Sequence, residues 1–385
     1  MTSASEAYSM ATFSSFLPHP PPWRTSGVAA LVDHDRPGGN VHDRASRATL
    51  LARIAALLDQ PLLGLLDVAQ AACTTALLVP GEALEAPVAR AAGIADRQGL
   101  LGGIVPALFI GTKAITHGLV DEQAVCPTGW SFAMSRLLGD AALPGYTAFT
   151  QADAARAGRL LLAKGPVRIK DVCGKAGLGQ QVVRSAADLD AALACEDVAD
   201  LAEHGIVLEE DLTDVVTYSV GVVELGDQSI GYWGTQTLTT DHKGRDVYGG
   251  TELHVVRGGF AELAALALPD RLAQAIRCAA MFDAAAHAAY PDIILTRRNY
   301  DVIEGTDALG VRRIGVLEQS WRVGGASGAE IAALEAFRAE PETRQVRCAT
   351  VEVYDLVTPP AGATVYYRGV DPVVGAMTKY AMRYA

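Results

Sequence analysis

Pro166-Val167-Arg168-Ile169-Lys170-Asp171-Val172-Cys173-Gly174-Lys175-Ala176-Gly177-Leu178-Gly179-Gln180-Gln181-Val182-Val183 is the stretch on which the fold turns. Over Val167 to Val172, β-branched residues alternate with Arg168 and Lys170, the period of a strand. Val182-Val183 reads as the returning strand, so the glycine-rich run between is a loop. Glycines there let backbone N–H groups approach a phosphate closely, and a lysine on the same strand supplies positive charge. A glycine-rich turn between strands is also a common connector, so the loop alone leaves both readings open. Spacing narrows the choice. A P-loop needs Lys-Ser or Lys-Thr after the second glycine of G-x-x-x-x-G, whereas Gly179 is followed by Gln180-Gln181. The dinucleotide fingerprint leads into a helix, whereas here G-x-x-G-x-G leads into a strand.

Working outward, Asp153 to Ala163 reads as a helix. Ser185 to Cys195 is a second, opened by a serine cap with Asp188 three residues on. Ile206 to Glu210 is a strand. Tyr218 to Leu225 and Ile230 to Thr240 are strands joined by Gly226-Asp227-Gln228-Ser229. The polar, glycine-rich stretch from Gly234 to Gly250 reads as a loop that receives an acidic substrate or merely connects. Leu263 to Tyr290 is helical and divided by Pro269. Toward the N-terminus, Val28 to Val32, Leu62 to Leu66 and Gly103 to Phe109 read as strands, the last broken by Pro106. Asp43 to Leu58 and Val88 to Ala95 read as helices. Such alternation predicts a layered α/β domain. Pro127 and Gly129 punctuate the chain before a helix from Trp130 to Leu138, and Pro144-Gly145 reads as a turn.

A second polar cluster lies further on: Arg297-Arg298-Asn299-Tyr300-Asp301, a turn around Gly305 to Gly310, then Glu318-Gln319-Ser320-Trp321-Arg322. If these are the two strands of a hairpin, Asp301 and Glu318 converge, and two carboxylates beside phosphates suit a magnesium ion. Arg322 would then steady a transferring phosphoryl group. A solvated hairpin with ordinary surface charges is the competing reading.

Composition sets the frame. The 385 residues are 50% hydrophobic and 20% charged, enough for a large core divided into subdomains. A net charge of -12 speaks against a nucleic-acid partner. The longest apolar runs fall short of a membrane helix, and Pro18, Pro20, Pro21 and Pro22 interrupt any export signal. Six cysteines without a C-x-x-C pair fit a reducing cytoplasm. The expected location is cytoplasmic, with no membrane partner, and a homodimer is an open expectation.

In this order the elements resemble the ATP-grasp superfamily: the Lys170 strand and glycine loop, Val207-Leu208-Glu209-Glu210-Asp211-Leu212, Asp301, and Val316 to Arg322. The resemblance covers about 130 to 330. The whole chain also resembles an uncharacterised bacterial family placed in that group, through runs such as Gly102 to Pro106, Thr112 to His117 and Gly324 to Ser327. It implies an α/β fold of α+β lobes: an N-terminal α/β domain (26–129) after a disordered arm (1–25), a small lobe (130–205), a large lobe (206–345) and a C-terminal hairpin and tail (346–385). It implies ATP and Mg2+ as cofactors. Lys170, Gly174, Lys175, Gly177 and Gly179 would cover the phosphates, with Arg136 where the family has a first lysine. Glu209, Glu210, Asp211 and Leu212 would hold adenine and ribose. Asp301, Glu318 and Ser320 would form the metal site, and Arg322 and Arg297 the catalytic pair. Ser320 stands where the family has Asn, which leaves Gln319 or a water as the alternative ligand. The implied reaction is an ATP-dependent ligation that activates a small-molecule or peptide carboxylate. A non-catalytic ATP-binding or regulatory protein is the alternative.

Overall fold

The computed structural model describes residues 25–32, 40–174 and 179–384. Lys175 and Gly177, and nearly all of the 1–25 arm, lie outside the described residues.

The N-terminal part begins with β1 (Val28–Leu31), α1 (Val41–Leu58), β2 (Leu62–Leu66), α2 (Val68–Ala72) and β3 (Leu77–Val79). The three strands are parallel in the order β2-β1-β3. Next come β4 (Leu84–Glu85), α3 (Ala86–Ala91) and β5 (Gly103–Val105). β5 is shorter than its apolar run predicts, because Pro106 brings no N–H to a ladder. Two 3₁₀ turns follow, Leu108–Gly111 and Lys113–Thr116, and Thr112 Oγ1 caps the second by accepting from Ala114 N–H at 3.2 Å.

The next part contains α4 (Phe132–Leu138), β6 (Gly145–Ala148), α5 (Gln151–Leu162), β7 (Val167–Asp171), β8 (Gln180–Val183), α6 (Ala186–Ala194), α7 (Val198–His204) and β9 (Ile206–Glu210). Its strands form an antiparallel sheet in the order β6-β9-β7-β8. Pro144-Gly145 is not a closing turn: Gly145 opens β6 and pairs with Glu209. Three of its four helices start on a side-chain cap, Thr150 for α5, Ser185 for α6 and Asp197 for α7.

The remainder is β10 (Thr213–Leu225), β11 (Gln228–Thr240), β12 (Asp246–Arg257), α8 (Phe260–Ala264), α9 (Asp270–Ala289), β13 (Ile294–Leu295), β14 (Arg297–Thr306), β15 (Arg312–Ser320), α10 (Ser327–Ala339), β16 (Gln345–Val353), β17 (Thr364–Asp371) and β18 (Gly375–Arg383). Eight of these strands make one antiparallel sheet, β15-β14-β10-β11-β12-β16-β18-β17. The polar 234–250 stretch is therefore mostly strand, β11 turning into β12, rather than a loop. The terminal hairpin is β17–β18, and both strands extend the large sheet through β16.

Helix α9 is alanine-rich on its inner face. Ala275, Ala279 and Ala286 bring its backbone close to the sheet, and Phe282 packs beside Tyr300, Val302, Val316 and Trp321. Truncating Phe282 to Ala would cost about 3–5 kcal/mol through lost burial and the cavity left behind. On a second core, Leu50, Ile54 and Leu57 of α1 join Ala329, Ala333 and Phe337 of α10 against Tyr232, Leu253 and Val255. The N-terminal unit thus shares apolar packing with the large sheet, and in the first core Ile110, Ala114 and Ile115 of the 3₁₀ turns join Val316 of β15.

Candidate functional site

β14 and β15 pair with Asp301 directly opposite Glu318 and Asn299 opposite Ser320. Register partners on antiparallel strands share a face, so the hairpin brings the two carboxylates together. A bulge follows at once: Val302 pairs with Val316, leaving Leu317 extra. Bulges re-aim side chains and recur beside active sites. Asp301 is held firmly. Its Oδ1 accepts from Asn299 Nδ2 at 2.9 Å, Gln236 Nε2 at 2.8 Å and Ser219 Oγ at 3.3 Å.

Beside the two carboxylates, on the same face of these strands, lies a buried polar network. Arg297 and Glu330, each with a side chain 2% exposed, pair at 2.7 Å, and Arg297 Nε lies 3.2 and 3.3 Å from the two Glu330 oxygens. The same guanidinium donates from Nη1 to the carbonyls of Ser320 (3.0 Å) and Arg322 (2.5 Å), with Ser320 Oγ at 3.3 Å. Burial would lower the Arg297 pKa, but the Glu330 charge and hydrogen bond, together with Tyr232 and Asp301, outweigh it and raise it. Tyr232 Oη lies 2.7 Å from Glu330 Oε1 and 2.9 Å from Asn299 Oδ1. Burial and then the Glu330 charge push this phenol well above its ordinary range, so it stays protonated. Gly221 makes room for it, since a Cβ there would sit 2.3 Å from Tyr232 Oη and 2.4 Å from the Arg298 carbonyl.

On the small sheet, Lys170 of β7 is buried and its Nζ lies 2.5 Å from Glu209 Oε1 on β9. His117 Nε2 reaches the other Glu209 oxygen at 3.1 Å. Burial alone would raise the Glu209 carboxyl, but Lys170 and His117 outweigh it and hold the pKa below 4.5. The described ends of the glycine loop close tightly: Asp171 N–H donates to the Gly179 carbonyl at 2.8 Å. Gly179 has φ +71°, and a Cβ there would come 2.9 Å from Asp171 Cβ.

Lys113, from the capped 3₁₀ turn, joins the two halves. Its Nζ lies 2.9 Å from Glu318 Oε2 and donates to the carbonyl of Gly174. Burial and then Lys170 push its pKa down to about 8, against the pull of Asp171 and Asp301.

A family model described as protein of unknown function (DUF3182) matches residues 30–381. The chain belongs to that family. No curated protein matches it. Among solved structures it is similar to a biotin carboxylase–β-γ-ATP complex from Campylobacter jejuni, at 13% identity and TM-score 0.51, over 94% of this chain and 88% of that one. A Rhizobium etli pyruvate carboxylase with acetyl coenzyme A matches at 12% identity and TM-score 0.52, over 94% of this chain and 36% of that one. An N5-carboxyaminoimidazole synthase from Aspergillus clavatus, in complex with ADP and its ribonucleotide, matches at 13% identity and TM-score 0.49, over 94% of both chains. The fold is the ATP-grasp fold.

Within this fold Lys113 contacts Glu318 and Gly174, Lys170 and Asp301 lie near enough for their charges to act on it, and Glu209 is paired to Lys170. Among the described residues no group of three or more His, Cys, Asp or Glu converges on a metal site. The donor set at Asp301–Glu318 is thus two carboxylates with Ser320 beside them. That fits Mg2+, which binds through one or two carboxylates together with substrate phosphates.

Other expected residues are placed differently. Gln319 does not take the missing ligand's place: its Nε2 donates to the carbonyls of Ile110 (3.2 Å) and Thr112, fastening the 3₁₀ turns to β15. Arg297 is occupied by Glu330 and the Ser320–Arg322 turn, so its guanidinium braces the Ser320 end of the site and is taken up by those partners instead of being free to face a phosphoryl group. Arg322 lies 3.0 Å from Glu82 and donates to the Val323 carbonyl at 3.0 Å. Asp211 binds Arg168 at 2.6 Å, Glu210 lies 3.5 Å from Arg313, and Leu212 is buried. Arg136 is exposed on the last turn of α4. Lys113, His117, Gln236 and Asn299 are the residues that sequence reasoning undervalued. Lys113 and His117 lie in the Thr112–His117 run already singled out.

Proposed function

We propose that this protein binds Mg-ATP between the small antiparallel sheet and the β14–β15 edge and uses it to activate a carboxylate. The observation that carries this reading is the register pairing of Asp301 with Glu318, joined through Lys113 to the glycine-loop end beside Lys170. Carboxylates for a metal and lysines for phosphates meet there, as phosphoryl transfer requires.

Lys170 and the loop from Gly174 to Gly179, including Lys175 and Gly177, would take the phosphates, with Arg136 as a further cation. Glu209 keeps Lys170 oriented, and Glu210, Asp211 and Leu212 line the nucleoside end. Asp301 and Glu318, with Ser320 beside them, would hold Mg2+, which when bound neutralises phosphate charge. A substrate carboxylate oxygen attacks the γ-phosphorus as the bond to the ADP oxygen breaks, giving an acyl phosphate. An amine or other nucleophile then attacks the acyl carbon and expels phosphate. Arg322, whose backbone is fixed by Arg297, is the residue assigned to the developing charge.

The substrate is a small-molecule or peptide carboxylate. The test is ADP and phosphate release across a panel of amino acids, peptides and small acids, each with and without an added amine. Release that depends on one acid and falls in Arg322→Ala supports a ligase. Tight nucleotide binding with no release for any acid supports a regulatory ATP-binding protein instead, a reading that Ser320 in place of Asn favours.

A further inference from the structure

Lys113 is a cation placed where the proposed site expects a metal ion. Its side chain is 7% exposed, and its Nζ contacts Glu318 and the Gly174 carbonyl at once. The backbone that carries it is fastened on two sides. Gln319 of β15 donates to the Ile110 and Thr112 carbonyls, and Thr147 of β6 donates from Oγ1 to the Ala114 carbonyl at 2.7 Å. Thr147 N–H also donates to the Gly118 carbonyl at 2.9 Å. A lysine at the end of a free loop would swing into solvent. Here the turn is tied to both sheets that form the site, and the ammonium is confined between them.

We propose that Lys113 is a resident counter-cation of the nucleotide site. It neutralises Glu318 in the free protein, yields that carboxylate when a divalent ion enters, and then pairs with the polyphosphate. This inference rests on the reading of Asp301 and Glu318 as metal-binding and of the glycine loop as phosphate-binding. It assigns a role to a residue contributed by the N-terminal unit, outside both sheets. Competition for one carboxylate gives the role a signature that a purely structural lysine lacks. Removing the ammonium leaves Asp301 and Glu318 with uncompensated negative charge, which favours a divalent ion, and removes a positive charge from the phosphate region, which disfavours nucleotide.

The experiment measures two affinities by calorimetry on the full-length protein, for Mn2+ without nucleotide and for ATP in EDTA. It compares wild type with Lys113→Met, which keeps the apolar stem, and Lys113→Arg, which keeps the charge. The expected result for Lys113→Met is Mn2+ binding tighter by about tenfold and metal-free ATP binding weaker by about tenfold, the scale of losing one close charge contact. Lys113→Arg should stay near wild type in both. If Mn2+ affinity in Lys113→Met is unchanged, or falls together with ATP affinity and the thermal midpoint, Lys113 is structural and the inference is overturned. If wild type binds Mg-ATP normally and Lys113→Met is indistinguishable from it, the inference alone fails. If wild type binds no ATP with or without metal, the underlying functional reading fails and takes this inference with it.

Discussion

Two buried ion pairs flank the site, and they are built differently. Arg297–Glu330 lies beside the β14–β15 carboxylates, with both side chains 2% exposed. Lys170–Glu209 lies in the small sheet at 2% and 1%. By burial they are equivalent. They differ in what else the cation reaches. The guanidinium fork of Arg297 is taken up by a carboxylate and two backbone carbonyls, a closed set that holds the Ser320–Arg322 turn. Lys170 carries a compact ammonium with three donors, of which, among the described residues, the Glu209 contact uses one, and its carboxylate has a second partner in His117. A saturated buried pair is scaffold. An unsaturated one, backed by a third group that can share the charge, is suited to handing its cation to a ligand.

Breaking the saturated pair should give the largest effect on stability. Arg297→Met leaves Glu330 buried without its cation, and urea denaturation should show a loss of about 3–5 kcal/mol. The same change at Lys170 leaves Glu209 with His117, so Lys170→Met should cost less, about 1–3 kcal/mol. It should instead weaken Mg-ATP binding by more than about tenfold in calorimetry, the loss of a charge-assisted hydrogen bond. Equal destabilisation by the two variants, with ATP affinity untouched in Lys170→Met, would erase the distinction.

A smaller effect tests what holds Asp301. Gln236→Ala removes the 2.8 Å bond to Oδ1 and should weaken Mn2+ binding by about tenfold, with little change in thermal midpoint. The smallest effect concerns acid. Glu209 is held below its ordinary 4.5 in the folded protein, so the unfolded chain takes up the proton first as pH falls. Its contribution is fully present above about pH 4.5 and is lost as pH drops through the lower folded value. Thermal midpoints measured downward from about pH 6 should therefore decline less steeply in Glu209→Gln than in wild type below pH 4.5.

Much of this arrangement was legible in the chain because strand periodicity is local. Alternation around Lys170 and around Asp301 placed those side chains on strands, and the turn between Gly305 and Gly310 set the hairpin that opposes Asp301 to Glu318. The pairing of Lys170 with Glu209 was not legible, since it depends on β9 lying beside β7 in the sheet. Gln319 looked like a substitute ligand because it neighbours Ser320 in sequence. On a strand, neighbours face opposite ways, and its amide secures the Ile110–Thr112 carbonyls instead. Lys113 carries no periodic signal in its 3₁₀ turn. Long-range packing of its turn with Val316 and the hydrogen bonds from Gln319 and Thr147 bring it to Glu318.

The most direct test of the central claim is the thermal midpoint with and without millimolar Mg-ATP, for wild type and for Glu318→Gln. A ligand that binds only the native state raises apparent stability. The account predicts a clear upward shift in wild type that is lost or strongly reduced in Glu318→Gln, with both proteins unfolding cooperatively without ligand. No shift in wild type, or the same shift in both proteins, would contradict it.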